Sequence, residues 1–311
     1  MCYVWGMADL DVTGLRLMQA IRDHGSITAA ARALGVSQPA ASQQAARLER
    51  RLGTALLDRQ GRTVRLTEAG AALARHGETI SGVLRAAEAE VASLAGMRSG
   101  VVRLVAFPSA SATLVPAALA ALRREHPELR VTLEEVEPPE SLRLLRAGRA
   151  DLALTFTFPD QPMPDGDAGL VTTDLLAEPT VVVLPEGHAL AGEHEVDIAD
   201  LAHEQWIAGC PRCRSHLMHQ TESSGYTPQI AYATDDYAAV VGLVAAGLGV
   251  AMLPRLARHA AVSRPGVAVA QVRPAAPRTV QAVTTRDLLR VPAVAATVRA
   301  LRAAADAVEE S

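Results

Sequence analysis

Apolar residues recur at helical spacing near the amino terminus and later give way to a different rhythm. In residues 10–23, LDVTGLRLMQAIRD, Leu15, Met18 and Ile21 share one helical face, with Leu17 beside them. His24-Gly25 closes that helix. Ser26 is placed to cap a second, SITAAARAL, which Gly35 stops. Ser37 is placed to cap a third, PAASQQAARLERRL, with Pro39 in its first turn and Gly53 at its end. Two short helices across a tight glycine turn predict a helix-turn-helix, whose second helix is the usual groove reader. The next stretch, ALLDRQGRTVRLT, predicts two short strands around Gln60-Gly61, a wing on which Arg59, Arg62 and Arg65 alternate with apolar residues. Thr67 is placed to cap a long helix reaching about Leu94. Leu73, Ile80, Ala87 and Leu94 fall seven apart in it, with Val83, Leu84 and Val91 between them. That heptad seam predicts a dimerisation helix, although His76 and Gly77 weaken its first repeat.

Past a linker at 96–100 the pattern alternates. VVRLVAF, LRVTLEEVE and DLALTF read as strands, separated by the helices ATLVPAALAALRREH and PESLRLLRAG. A Pro/Asp/Gly-rich loop covers 159–169. Then come TVVVLP, QWIAG, a helix, QIAYAT, a helix from Asp235, GVAML, a return through VAVAQV and TVQAVTT, and a last helix, PAVAATVRALRAAADAV. This order predicts an α/β body with mostly parallel sheets, in two lobes joined by two crossovers. Ligands in such folds sit at the carboxyl ends of strands, against helix N-termini. The expected fold class is α/β multidomain: an all-α winged helix-turn-helix at 7–66, a linker helix at 67–97 and two Rossmann-like subdomains of periplasmic-binding-protein type at 98–311. Within that body, lobe I is expected at about 98–163 plus 273–311 and lobe II at about 164–272.

Charge sharpens this division. Residues 12–70 hold nine arginines against four acids, whereas residues 71–311 hold twenty-one against twenty-eight. A basic module on an acidic body suggests nucleic-acid contact at one end, although the whole chain is at −4. All thirty basic residues are arginine, which reads as a composition bias rather than a function. Three cysteines are too few for a disulfide framework. The start, MCYVWGMADLD, lacks a signal-peptide pattern. The longest uncharged run, YAAVVGLVAAGLGVAMLP, nearly reaches the ~18 residues of a membrane span. Gly247 and Gly249 interrupt it, which suits a buried helix, a turn and a buried strand. The expected location is the cytoplasm, with no membrane partner.

The run from Gly25 to Gly70, GSITAAARALGVSQPAASQQAARLERRLGTALLDRQGRTVRLTEAG, resembles the DNA-binding signature of LysR-type transcriptional regulators. The pieces GS, AA, SQPA-S, LE, LG, R, LT and AG appear in order, and the linker helix and two-lobed body follow the family plan. Met18, Ile27 and Leu57 stand where the family usually has phenylalanine, apolar swaps that alter packing detail. The resemblance implies a dimeric or tetrameric regulator of double-stranded DNA, switched by a small-molecule effector, with RNA polymerase a partner if it activates. Ser37, Gln38, Pro39, Ala40, Ser42 and Gln43 are then expected near base edges, where glutamine can pair with adenine and Ala or Pro can touch a thymine methyl. Ser26, Thr28, Arg59 and Arg62 suit phosphates or the minor groove. Ser109 and Ser111, at a helix start after the first lobe strand, match the place where a ligand carboxylate is often held. Pro138, Gly209, Cys210, Thr234 and Asp235 are expected near the same cleft, with Asp235 an N-cap. Arg212 and Arg214 would suit an anionic effector.

The stretch 209–220, GCPRCRSHLMHQ, raises a second reading, a thiol- or metal-responsive factor sensing through Cys210 and Cys213. The step from His216 to His219 is tighter than common zinc spacing, so no metal and no cofactor are expected. A helix N-terminus and two arginines are expected to lower a thiol pKa there. No GxSxG, HExxH or Walker pattern supports an enzyme. The GLG at 247–249 is a lone glycine pair, and Glu134, Glu135 and Glu137 read as surface charge on a strand edge. A two-lobed small-molecule binding protein shares the body but not the amino-terminal reader. A DNA-binding scaffold without an effector is separated only by testing for ligand-dependent footprints.

Overall fold

The computed structural model describes residues 10–58, 64–94, 100–162, 169–258, 264–274 and 277–309, with backbone alone at 85–86, 88–90 and 92–94. Its described residues divide into two compact units, one built on residues 10–94 with 146–149 and the other on residues 100–145 and 150–309. In the first unit, α1 (Val12–His24) is capped by Asp11, whose Oδ1 accepts from Gly14 N, while α2 (Ile27–Ala33) and α3 (Gln38–Leu52) are capped by the serines as predicted. Ser26 Oγ accepts from Ala29 N at 3.1 Å and Ser37 Oγ from Ala40 N at 3.3 Å. Gly35 and Gly53 supply the positive φ, 68° and 65°, that the ends of α2 and α3 require. Leu17, Met18, Ile21, Ala45, Leu48 and Leu56 form the buried centre.

Strands β1 (Leu57–Asp58) and β2 (Arg65–Leu66) pair antiparallel at the base of the wing. Thr67 Oγ1 then accepts from Gly70 N at 3.1 Å at the start of α4 (Glu68–Leu94). The two halves of α4 differ. Its first half packs on α1, and a Cβ at Gly77 would lie 2.7 Å from Leu15 O, so glycine is what allows the close approach. The weakened first repeat of the heptad is therefore an intradomain contact. The second half exposes Val83, Leu84, Ala87 and Val91, the last at 65%.

In the second unit, lobe I is a five-stranded sheet in the order β4-β3-β5-β13-β6. The strands are β3 (Val101–Ala106), β4 (Arg130–Glu135), β5 (Leu152–Thr157), β6 (Leu170–Glu178) and β13 (Arg278–Thr285). Helices α5 (Pro108–Ala112), α6 (Leu114–Glu125) and α7 (Glu140–Arg146) connect the first three. Lobe II is a six-stranded sheet, β10-β9-β11-β7-β12-β8. It comprises β7 (Thr180–Pro185), β8 (Glu195–Asp197), β9 (Gln205–Ala208), β10 (Gln229–Ala233), β11 (Val250–Pro254) and β12 (Val267–Arg273), with α8 (Pro211–Ser223) and α9 (Tyr237–Ala245). The chain ends in α10 (Arg286–Leu289) and α11 (Pro292–Glu309), and α11 packs on α6.

Each sheet is mixed. The βαβ units are parallel, while β13 runs antiparallel to β5 and β6, and β7 to β11 and β12, where the chain crosses between lobes. Strand β6 pairs with β13, so the first crossover falls at Pro179 rather than near residue 164. Its polar run Thr172-Thr173-Asp174 on a sheet edge conceals a strand that only β13 completes.

Candidate DNA interface and inter-lobe cleft

The start of α3 stands open. Ser37, Gln38, Pro39 and Ala40 are exposed, as is Gln43, and Ser42 is half-buried. Gln38 Nε2 donates to Ser42 Oγ at 2.9 Å. Thr28 is exposed in the first turn of α2, while Ser26 and Ser37 spend their hydroxyls on caps. Arg59 and Arg62 lie outside the described residues. Arg47 and Arg50, four and seven residues past Gln43 and so on its helical face, are exposed, and the sequence reading did not single them out.

The cleft of the second unit is organised by a pair that no sequence pattern selects. Arg278 opens β13 and Glu178 closes β6, opposite each other in register and each about 1% exposed. Arg278 Nε donates to Glu178 Oε1 at 2.6 Å, and an Nη donates to Ser109 Oγ at 2.7 Å. The guanidinium lies 4.8 Å from the Phe107 ring and 4.6 Å from that of Phe156. Glu178 Oε2 accepts from Leu256 N, just past β11, at 2.7 Å. One buried carboxylate thus ties both lobes beside both crossovers. The readable trace is a lone arginine at the head of a strand that carries no other charge. Neither serine caps α5: Ser109 serves Arg278, and Ser111 Oγ donates to Ala106 O at 3.4 Å.

Pro138 is buried just before α7. Beside it, Glu137 is not surface charge. Its Oε2 is buried, and its carboxyl is raised to about 8, first by burial and then by Cys210, opposed by Arg278 and reinforced by Asp235. Tyr237 hydrogen-bonds Ser109, and burial pushes its phenol up. Thr234 Oγ1 accepts from Asp236 N at 3.3 Å. Asp236, not Asp235, caps α9, accepting from Ala238 N at 2.8 Å, because its side chain stands one residue before the first helical turn. Asp235 itself is exposed.

Gly209 follows β9, and Cys210 is the N-cap of α8. Cys210 Sγ accepts from Cys213 N at 3.4 Å and lies 2.9 Å from Cys213 Sγ. Cys210 is 2% exposed, and its thiol is pushed up, first by its hydrogen bond to Cys213 and then by burial. This reverses the expected lowering, because the Cys213 hydrogen bond and burial outweigh the backbone N–H of Cys213, which acts the other way. Arg212 donates an Nη to Gln161 O at 2.8 Å and lies 5.8 Å from the Phe156 ring, and Arg214 is exposed. His216 and His219 do not join the thiols. His216 is buried against Phe158 and Asp160, and His219 is exposed. Among the described residues no three His, Cys, Asp or Glu side chains converge as a metal site, and no helix is long and apolar enough to cross a membrane.

Residues 12–71 match the model of the bacterial regulatory helix-turn-helix proteins of the lysR family, and residues 95–306 that of the LysR substrate binding domain. A probable hydrogen peroxide-inducible genes activator of Mycobacterium avium is 33% identical, over 86% of this chain and 84% of its own. The structure of a cysteine mutant of Corynebacterium glutamicum OxyR is 25% identical, covers 96% of this chain and 94% of its own, and superposes with a TM-score of 0.60. A full-length OxyR from Pseudomonas aeruginosa, with one cysteine replaced by aspartate, is 22% identical. It has the same fold over 94% of this chain and 97% of its own, with a TM-score of 0.64.

Proposed function

Because the chain belongs to the LysR family of DNA-binding transcriptional regulators, we propose that it binds a dyad-like promoter site as an oligomer and is switched by a small molecule in the cleft between its lobes. The observation that carries this reading is the cleft wall itself. Ser109, Glu137, Tyr237 and the Cys210 turn converge from both lobes on the Arg278–Glu178 pair, which fastens the two crossovers together. A ligand that separates or draws in these groups changes the angle between lobes. At the other end, Gln38 and Gln43 are the proposed base readers. Thr28, Arg59 and Arg62 are the proposed backbone contacts. The exposed second half of α4 is the proposed seam between copies. Arg278 already has its counter-ion, which favours an uncharged effector over an anion held at that guanidinium. Nuclease footprinting on the DNA upstream of its own gene, with and without candidate metabolites, tests the reading. A footprint that changes length with a metabolite supports it; protection that never changes argues for a scaffold without an effector.

A second reading is favoured by the 2.9 Å between the two sulfurs. Two thiols and one molecule of hydrogen peroxide yield a disulfide and two waters: the first sulfur takes one peroxide oxygen as the O–O bond breaks, giving a sulfenic acid and one water, and the second sulfur then forms the S–S bond as the S–O bond breaks and the second water leaves. The Mycobacterium avium relative carries a hydrogen peroxide name, which supports trying that oxidant first. Cys210 is held protonated, so the attacking sulfur must first lose its proton. A thiol count after a mild peroxide pulse checks this reading. A loss of two thiols with a changed footprint supports it, and surviving thiols sink it.

A further inference from the structure

The turn at 158–161 leaves β5 in lobe I and meets α8 of lobe II with nearly every side chain it has. The Phe158 ring stacks on His216, centroids 3.8 Å apart and planes 7° from parallel. His216 Nδ1 lies 2.8 Å from Asp160 Oδ1. Gln161 Nε2 donates to Arg212 O at 3.1 Å, and Arg212 returns an Nη to Gln161 O at 2.8 Å. Arg212 and His216 are four residues apart, on one face of α8. Cys213 lies between them, and Cys210 caps the same turn. His216 is 1% exposed and the Asp160 side chain 11%. A carboxylate in this position only accepts, so Nδ1 carries the proton. His216 in turn holds the Asp160 carboxyl below its ordinary range, against the opposing effect of burial.

The chain has three phenylalanines, and all of them stand in one row that ends at this turn. Phe107 meets Phe156 edge-on at 5.0 Å, Phe156 meets Phe158 at 5.6 Å, and Phe158 meets His216. The row begins at the Arg278 guanidinium, so the hinge pair and the thiol turn are joined by packed rings.

We propose that Asp160 and His216 are positioning residues that latch α8 to lobe I and so fix where the Cys210–Cys213 turn sits in the cleft. The proposal rests on the reading of that cleft as the switch. Any event that moves the thiol turn, ligand entry or sulfur bond formation, then strains the latch and is felt as a change in lobe closure.

The test uses full-length protein. Asp160→Asn removes the charge from the pair, and the exchange Asp160→His with His216→Asp rebuilds it with its ends reversed. Amide exchange is followed across the chain, together with the rate at which iodoacetamide alkylates Cys210 and Cys213. In Asp160→Asn, exchange over residues 211–218 and thiol alkylation should both rise about tenfold, an opening cost lowered by about 1.4 kcal/mol. Exchange in β3 and β5 should not change, and the reversed pair should bring both rates back toward the unsubstituted protein. Unchanged rates in Asp160→Asn overturn the latch, as does a reversed pair that folds yet restores nothing. If Asp160→Asn exchanges faster everywhere, Arg212→Gln, which removes the guanidinium's contacts with Gln161 O and the Phe156 ring but leaves Asp160 and His216 in place, decides instead. It must raise thiol alkylation for the latch to stand. A footprint of the unsubstituted protein that ignores every metabolite and oxidant counts against the cleft reading alone, because exchange and alkylation report the latch without DNA.

Discussion

Cys210, Glu137 and Arg278 show how far a residue's surroundings outweigh its type. An arginine pair and a helix N-terminus suggest a reactive thiol, yet the hydrogen bond with Cys213, burial and the nearby Asp235 hold Cys210 protonated. Glu137 has the opposite signature from an ion-paired acid. Its folded-state pKa of about 8 stands above that of the unfolded chain, so between about 4.5 and about 8 the folded state binds the extra proton. Stability should therefore fall as pH rises through that window, and Glu137→Gln should flatten the fall. Thermal midpoints of both proteins at pH 5 and pH 9 check the sign, and a wild-type midpoint that rises with pH contradicts it. Arg278 and Glu178 call for a different experiment. Glu178→Ala leaves a guanidinium buried without its counter-ion and should cost about 3–5 kcal/mol in urea unfolding. Replacing both, Arg278→Met with Glu178→Leu, should cost much less.

Among the elements, α4 has two halves in different surroundings that a single heptad pattern runs together. Gly77 lets its first half touch the backbone of α1, whereas Val83, Leu84 and Val91 of its second half face outward. Val91→Asp should therefore lower the oligomeric state while leaving the fold of the amino-terminal unit intact, since no native contact of that unit is lost. Sedimentation at several concentrations and far-UV circular dichroism check the two halves of that statement, and an unaltered oligomer would place the seam elsewhere. Apart from the Asp11 cap that starts α1, the helix-turn-helix was legible, because caps, glycine stops and apolar period are local signals. Strand β6 was not. Its alternation is masked by threonines and an aspartate, and its partner β13 lies a hundred residues away in the chain. The N-cap of α9 moved by one residue for a local reason, as two adjacent aspartates offer two candidate caps and only backbone geometry chooses Asp236.

At the scale of the molecule, a basic DNA-binding unit is joined to an acidic two-lobed body, and the two should respond differently to mutation and salt. Gln43→Ala should relax sequence preference by about 1–3 kcal/mol at one base pair. Arg62→Ala should weaken binding to every sequence and reduce the salt slope by about 1. Titrations against a matched and a mismatched site at two salt concentrations separate them; identical behaviour would remove Gln43 from the readers. By itself the sequence determined the family, the reader with its caps and exposed glutamines, and the two-lobed order of strands and helices. All of these are written in short-range period and motif. Only the tertiary structure decided the place of the first crossover, the hinge pair of Glu178 with Arg278, and the aromatic row that runs from it to the Asp160–His216 latch. Those groups are distant in sequence, and burial removes competing water, so they acquire their charges, partners and strength only once the lobes have brought them together.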